Sequence, residues 1–329
     1  MHIDVPSPAE IAAAHVALGR QIVRTPLVPW CGDRLARHLS PGTEVHLKLE
    51  LLQRTGTFKL RGALVSVAAL SPQQRARGVA AMSGGNHAAA VAYAAREYAI
   101  SAKVVMPKTA SPVRRQLCAS YGAEVILAEN IHECFERVES IAAAEQRTII
   151  HPFEGRQIAL GTATLGREIC EQLTAPEVLI VPIGGGGLAA GVACAVKQMS
   201  PDCRVYGVEP SGAPSMHQSL ARGAPVTLSR TDTIADSLAS PKALPYSFEL
   251  CRRFLDGVSL VSDDELRRAM ALLYAEMKLG VEPAGAAATA GLLGPLREIC
   301  AGKRVCVLVC GSNIDVDLLA AHIKQAPAA

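Results

Sequence analysis

The chain reads as an α/β protein, with parallel sheets wrapped by helices. Short apolar runs alternate with segments of helical periodicity along almost its whole length, and turns bearing glycine fall where runs end and helices begin. With 329 residues, half of them hydrophobic, it can bury a large core as two lobes or one large domain. Apolar runs bounded by Gly, Pro or charge predict strands at 45–50, 79–82, 102–106, 124–127, 178–182, 205–209 and 304–309. Apolar residues at helical spacing predict helices at 87–98, 113–121, 131–145, 188–199, 263–278 and 284–293, with a further helix opening at Lys59 and a short one at 318–324. The stretch 211–244, rich in Gly, Pro and Ser, reads as the longest loop, and no internal repeat appears.

Composition narrows the function. A net charge of +3 from 33 basic and 30 acidic residues leaves no basic stripe, and few aromatics are available for base stacking, so nucleic acid is not expected as a partner. No run approaches the roughly 18 apolar residues of a membrane span, and Met1-His2-Ile3-Asp4-Val5-Pro6 lacks the features of a secretory signal. Ten scattered cysteines without a C-x-x-C pair read as reduced thiols of a cytoplasmic protein. Small metabolites are the expected partners.

Lys59 lies in Gln53-Arg54-Thr55-Gly56-Thr57-Phe58-Lys59-Leu60-Arg61-Gly62, just after a Gly/Thr turn and at the start of a helix. An amine held there partly out of water loses the solvation that favours its ammonium form, and becomes free to condense with an aldehyde. A lone helix-starting lysine more often only solvates. Three glycine turns change that balance. Ser83-Gly84-Gly85-Asn86-His87 leaves unpaired N–H groups at a helix start, a cradle for a carboxylate or phosphate, although an ordinary N-cap explains it too. Gly184-Gly185-Gly186-Gly187-Leu188 brings bare backbone close to something, and a phosphate fits. Gly184, Gly186 and Ala189 also match a loose nicotinamide-binding pattern with Glu209 roughly 20 residues on, which is a competing reading. Cys310-Gly311-Ser312-Asn313 follows an apolar run, where the thiol could be a nucleophile, a partner for a ring nitrogen, or inert.

An imine-forming lysine, a phosphate loop and a separate carboxylate cradle together meet the needs of pyridoxal 5'-phosphate. The chain resembles the threonine/serine dehydratase and serine racemase family of fold type II pyridoxal-phosphate enzymes, which are tryptophan synthase β-like. The resemblance rests on Lys48-Leu49-Glu50, Thr57 to Ala63, Ser83 to His87, Gly184 to Leu188, Glu209-Pro210, Thr233 to Asp236, Glu282 to Ala286 and Gly311 to Asp315, in family order. It implies two open three-layer lobes with the cofactor between them: a large domain of residues 1–52 and 153–329 and a small one of 53–152.

The resemblance also implies residue roles. Lys59 would be the Schiff-base lysine and Phe58 its packing partner. Asn86 would bond the ring hydroxyl, the N–H groups of Gly184, Gly185, Gly186, Gly187 and Leu188 would hold the phosphate, and Cys310 would face the pyridine nitrogen. Ser83, Gly84, Gly85, Asn86 and His87 would bind the substrate carboxylate. A neutral thiol at the ring nitrogen weakens the electron sink and suits elimination. Racemases of the group carry serine at the position of Gly84, so dehydration is expected over racemisation. The family's metal position matches Glu209, Ala213 and Ser215; with one carboxylate fewer, a monovalent or weakly bound divalent cation is expected.

The expected activity is a dehydratase, or ammonia-lyase, acting on a β-hydroxy amino acid to give a 2-oxo acid and ammonia. His151 to Gly155 and Ala159 to Thr162 match the segment lining the substrate side chain, where Gly155 opens space and Leu160 supplies an apolar wall, so a β-aryl serine such as phenylserine is expected to fit. The rivals are a serine racemase-like enzyme, a β-replacement enzyme and a nicotinamide-dependent oxidoreductase. The resemblance implies a homodimer, and no appended regulatory module is expected after Asp315.

Overall fold

The computed structural model describes residues 3–327, so Met1 and His2 of the amino-terminal segment and the last two residues of the tail lie outside the described residues. Ten strands form two sheets: β1 Leu27–Pro29, β2 Glu44–Leu49, β3 Val79–Met82, β4 Ala102–Pro107, β5 Glu124–Ala128, β6 Thr148–Ile149, β7 Val178–Pro182, β8 Arg204–Pro210, β9 Gly257–Val261 and β10 Arg304–Val309. The larger sheet has the order β1-β2-β10-β7-β8-β9 and the smaller β5-β4-β3-β6. The smaller is parallel throughout. The larger is parallel except that β1 runs antiparallel to β2, so it is mixed rather than parallel as expected. The exception is a short edge strand containing Pro29, a place where a missing N–H costs no ladder bond.

Central strands are continuous apolar runs because both faces are covered. Every residue of β3 and β7 is buried, and both lie where the sequence predicted them, as does β10. One apolar core surrounds the larger sheet, and two separate ones cover the opposite faces of the smaller. Eight of the ten cysteines are buried and all are unpaired. No helix among the described residues is long and apolar enough to cross a membrane.

The predicted elements depart from the structure in three ways. The expected loop 211–244 contains helix Ser215–Arg222, and helix Pro245–Phe254 follows directly. The helix expected at 263–278 ends at Leu272 and continues as a single π turn, Leu273–Met277. Helix Arg156–Gln172 was read only as a lining segment. It is packed so closely on its neighbours that small residues interrupt its apolar stripe of Ile158, Leu165 and Ile169. A Cβ on Gly161 would lie 2.5 Å from the Arg61 carbonyl oxygen, and one on Gly166 would lie 2.6 Å from that of Val192.

Parallel packing places strand carboxyl ends together, and the glycine turns follow β3, β7 and β10 at those ends. The register Val309↔Leu49 sets Cys310 beside Glu50, and an isolated bridge joins Gly311 to Thr57. Loops from both sheets therefore meet in one cleft.

Candidate active site

Lys59 is the first residue of helix Lys59–Ala68. Its Nζ donates to the Pro152 carbonyl at 2.6 Å and lies 5.1 Å from the centroid of the Phe58 ring. Burial lowers its pKa to about 8. At that value roughly a tenth of the amine is neutral at pH 7. The Phe58 N–H donates to the Cys310 carbonyl, which fixes the lysine's approach to the end of β10.

The tetraglycine turn leads into helix Gly187–Met199, whose first-turn N–H groups have no intrahelical acceptor. Glycine is needed here for reasons internal to the protein as well. A Cβ on Gly185 would lie 2.3 Å from the Phe153 Cγ, one on Gly187 would lie 2.7 Å from the Phe153 Cα, and Gly186 takes φ +91°. Phe153 follows the Pro152 that receives Lys59, so the amine and the glycine turn share one wall. The nicotinamide reading fails on geometry. Glu209 accepts N–H bonds from Met216 at 2.8 Å and His217 at 2.7 Å, one on each oxygen, so its carboxyl caps helix Ser215–Arg222 instead of facing a ribose.

Those contacts also describe the three residues considered for a cation. Glu209, Ala213 and Ser215 come together fully buried, with the Ser215 N–H on the Ala213 carbonyl. Burial pushes the Glu209 carboxyl up to about 8. Among the described residues no group of three or more His, Cys, Asp or Glu gathers anywhere. This pocket offers one carboxyl already served by a helix N-terminus, which does not suit a tightly held divalent ion.

The Ser83 to His87 turn opens helix Asn86–Glu97. The Ser83 Oγ accepts the Gly85 N–H at 3.0 Å, and the His87 ring turns away to the Ile150 carbonyl at 2.7 Å. Burial holds His87 down at about 3, so it is neutral, and only its backbone faces the turn. Asn86 donates through Nδ2 to Glu282 at 2.8 and 3.0 Å and to the Ser237 Oγ at 3.1 Å, and its Oδ1 accepts from Asn313 at 2.9 Å. Cys310 is buried with Sγ 3.4 Å from the Ala284 carbonyl, and burial raises its pKa, so the thiol is neutral and no activated nucleophile.

Sequence reasoning gave no role to Glu282, Arg114 or Asn313. Arg114 reaches from helix Pro112–Ser120 to Asp236 at 2.6 Å, to the Asn313 carbonyl at 2.7 and 2.9 Å, and to Glu282 at 3.4 Å, which ties the two sheets across the cleft. Burial holds the Glu282 carboxyl up at about 7. Its place in the Glu-Pro motif was visible, but its contacts, 196 residues away from Asn86, were not. Leu160 is no wall of the cleft: it packs with Ile11, Ala163 and Ala195 in the helix layer. The aromatic surface comes instead from Phe153 and His151, packed edge to face at 4.7 Å. The His151 Nδ1 accepts the N–H groups of Phe153 and Glu154, leaving a neutral ring with the proton on Nε2.

The chain is similar to several known proteins. The chain is 51% identical over 319 residues to a phenylserine dehydratase of Ralstonia pickettii, covering 97% of each. It is 40% identical over 279 residues to an L-threonine ammonia-lyase of Thermotoga maritima, covering 84% of this chain and 69% of the relative. The solved structure of maize serine racemase superposes with a TM-score of 0.90 at 31% identity, over 98% of this chain and 99% of that one. The family model described as pyridoxal-phosphate dependent enzyme matches residues 19–311, and the chain belongs to that family.

Proposed function

We propose that the chain is a pyridoxal-phosphate dependent dehydratase that converts a β-hydroxy amino acid of the phenylserine type to a 2-oxo acid and ammonia. The carrying observation is the Lys59 amine, partly desolvated and in contact with Pro152 beside the glycine turn. The substrate class rests on the 51% identical phenylserine dehydratase and on the Phe153–His151 pair.

The residues fit the cofactor: an amine of lowered pKa, a helix N-terminus built from glycines that carry no side chains of their own, and a neutral thiol at the expected ring position. When bound, pyridoxal phosphate supplies an electron sink conjugated to the substrate amino group, which acidifies the Cα–H bond. Gly184, Gly185, Gly186, Gly187 and Leu188 are assigned to hold the phosphate by N–H, Asn86 to the ring hydroxyl and Phe58 to packing beside the ring. Cys310, neutral, sets no charge at the ring nitrogen. The turn Ser83, Gly84, Gly85, Asn86 and His87 is assigned to orient the substrate carboxylate; the Ser83 N–H is taken by the Val105 carbonyl and that of Gly85 by Ser83 Oγ, which leaves the N–H groups of Gly84, Asn86 and His87 for it. Neutral Lys59 takes the Cα proton at Nζ. The β-hydroxyl leaves, proton and hydroxide depart as one water, and the released enamine takes water back to give the 2-oxo acid and ammonia. Gly84 offers no acid on the opposite face, which favours elimination over racemisation. At Gly155 an added Cβ meets nothing within 4 Å, which leaves room for an aryl group.

The same proposal takes residues 53–152 as a small domain and the rest as a large one, a homodimer in the cytoplasm, and at most a monovalent or weakly held divalent cation at Glu209, Ala213 and Ser215. All strands of the smaller sheet fall within the range 53–152. Ammonia release from phenylserine, threonine, serine and 3-hydroxyaspartate tests the activity. We expect phenylserine to give the highest kcat/KM; a strong preference for serine would reject the aryl pocket, and no release from any of them would reject the dehydratase.

A further inference from the structure

The helix that carries Lys59 into the cleft carries Arg61 into the interior. Residues two apart on a helix point about 200° from each other, so one side chain's orientation fixes the other's. Arg61, Lys48, Glu50 and Glu168 are all completely buried. The Arg61 guanidinium forks twice: Nε and one terminal nitrogen donate to the two oxygens of Glu50 at 2.8 Å each, and the terminal nitrogens donate to the two oxygens of Glu168 at 2.8 and 2.9 Å. Lys48 Nζ donates to Glu168 at 2.7 Å and to the Thr25 carbonyl and Gln172 at 2.8 Å each. Thr25 Oγ1 donates to Glu50 at 2.6 Å. Two cations thus face two carboxylates, with their hydrogen bonds satisfied.

Stability alone does not account for such a cluster, because burying four charges costs several kcal/mol each before pairing recovers it, and apolar replacements of similar volume often serve as well. What the cluster provides is direction. Glu50 stands just after β2 and Glu168 on helix Arg156–Gln172, so the double fork sets the rotation of the Lys59 helix against both. The contact of Gly62 with Gly161 holds the spacing, since a Cβ on Gly161 would lie 2.6 Å from the Gly62 Cα. Helix Arg156–Gln172 then packs through Gly166 on helix Gly187–Met199, and Thr162 Oγ1 donates to the Gly187 carbonyl at 2.8 Å. Close packing therefore runs unbroken from the lysine to the glycine turn.

We infer that Arg61 and Glu168 are positioning residues, which lock the Lys59 helix to helix Arg156–Gln172 and so set the reach of the amine relative to the glycine turn. The inference rests on Lys59 being the cofactor-bearing amine. It is tested with Arg61→Lys, which keeps the charge and loses the fork, and with Gly161→Ala, which wedges the two helices apart without touching a charge. In the full chain freed of cofactor, the pH dependence of Lys59 acetylation by acetic anhydride is read by peptide mass. The wild-type midpoint should be about 8. Both variants should move it up by about one pH unit as the amine relaxes toward water. In the holoenzyme kcat should fall about tenfold or more, with KM changed less than about threefold, since misplacing a reacting group costs rate before binding.

A lower melting temperature with the wild-type acetylation midpoint and kcat would overturn the inference and leave the cluster merely structural. Should Arg61→Lys not fold, Thr164→Val removes the 3.3 Å bond to Arg61 together with the 2.6 Å bond from Thr164 Oγ1 to the Gly161 carbonyl, and should shift the midpoint in the same direction by less; no shift in either Thr164→Val or Gly161→Ala overturns the inference. A wild-type chain that takes up no pyridoxal phosphate at Lys59 would overturn the functional proposal itself, whereas wild-type uptake with unaltered variants fails the positioning role alone.

Discussion

The two faces of helix Lys59–Ala68 solve opposite problems. On the inner face Arg61 has its charge matched by Glu50 and Glu168 within 2.9 Å, and nothing there is left to react. On the cleft face Lys59 has one carbonyl partner and no carboxylate within ion-pair distance, and the groups around it, Glu282, His87 and Cys310, are all held toward their neutral forms by burial. Pairing spends a charge on architecture; incomplete pairing beside a helix start keeps an amine available for chemistry.

Removing the cleft-face amine should have the largest effect. Lys59→Ala should lower kcat by at least about 10³-fold, since it removes both the covalent anchor and the base, and should abolish the visible absorption of the loaded protein while leaving the fold intact by circular dichroism. Gly185→Ala comes next. Its Cβ would lie 2.3 Å from the Phe153 Cγ, so we expect a loss of about 1–3 kcal/mol in stability and weaker cofactor retention on dialysis. Phe153→Leu in the same chain should recover part of the stability.

A subtler contrast lies in Glu282. Burial raises its pKa from 4.5 to about 7, so the folded chain favours the protonated carboxyl. Its contribution is complete below the unfolded value and is lost as pH rises through about 7. Between about pH 5 and 7 the unfolding free energy of the cofactor-free chain should therefore fall, by at most about 1.4 kcal/mol per pH unit from this group, and Glu282→Gln should flatten that slope in urea titrations. The smallest effect belongs to the surface. Arg252 pairs with Glu249 in solvent, and Arg252→Ala should leave melting temperature and kcat unchanged, in contrast to Arg61→Lys.

Much of this was readable from the chain. β3, β7 and β10 were legible because strands covered on both faces must be unbroken apolar runs, and Lys59, Asn86 and the glycine turns because each stands at a strand end or helix start. What escaped had physical causes. In helix Arg156–Gln172 the apolar stripe of Ile158, Leu165 and Ile169 is interrupted by Gly161, Thr162, Thr164 and Gly166, which close packing demands. β1, β6 and β9 are edge strands of two to five residues, only partly buried, and carry weak periodicity. Lys48, Glu50, Arg61 and Glu168 look like ordinary surface charges until the topology brings residues more than a hundred positions apart together.

The claim on which the rest depends is that Lys59 bears the cofactor. Borohydride reduction of the purified, pyridoxal-phosphate-loaded protein, followed by peptide mass mapping, should leave the reduced pyridoxyl mass on the peptide containing Lys59. Label on any other lysine, or on none, would contradict the account.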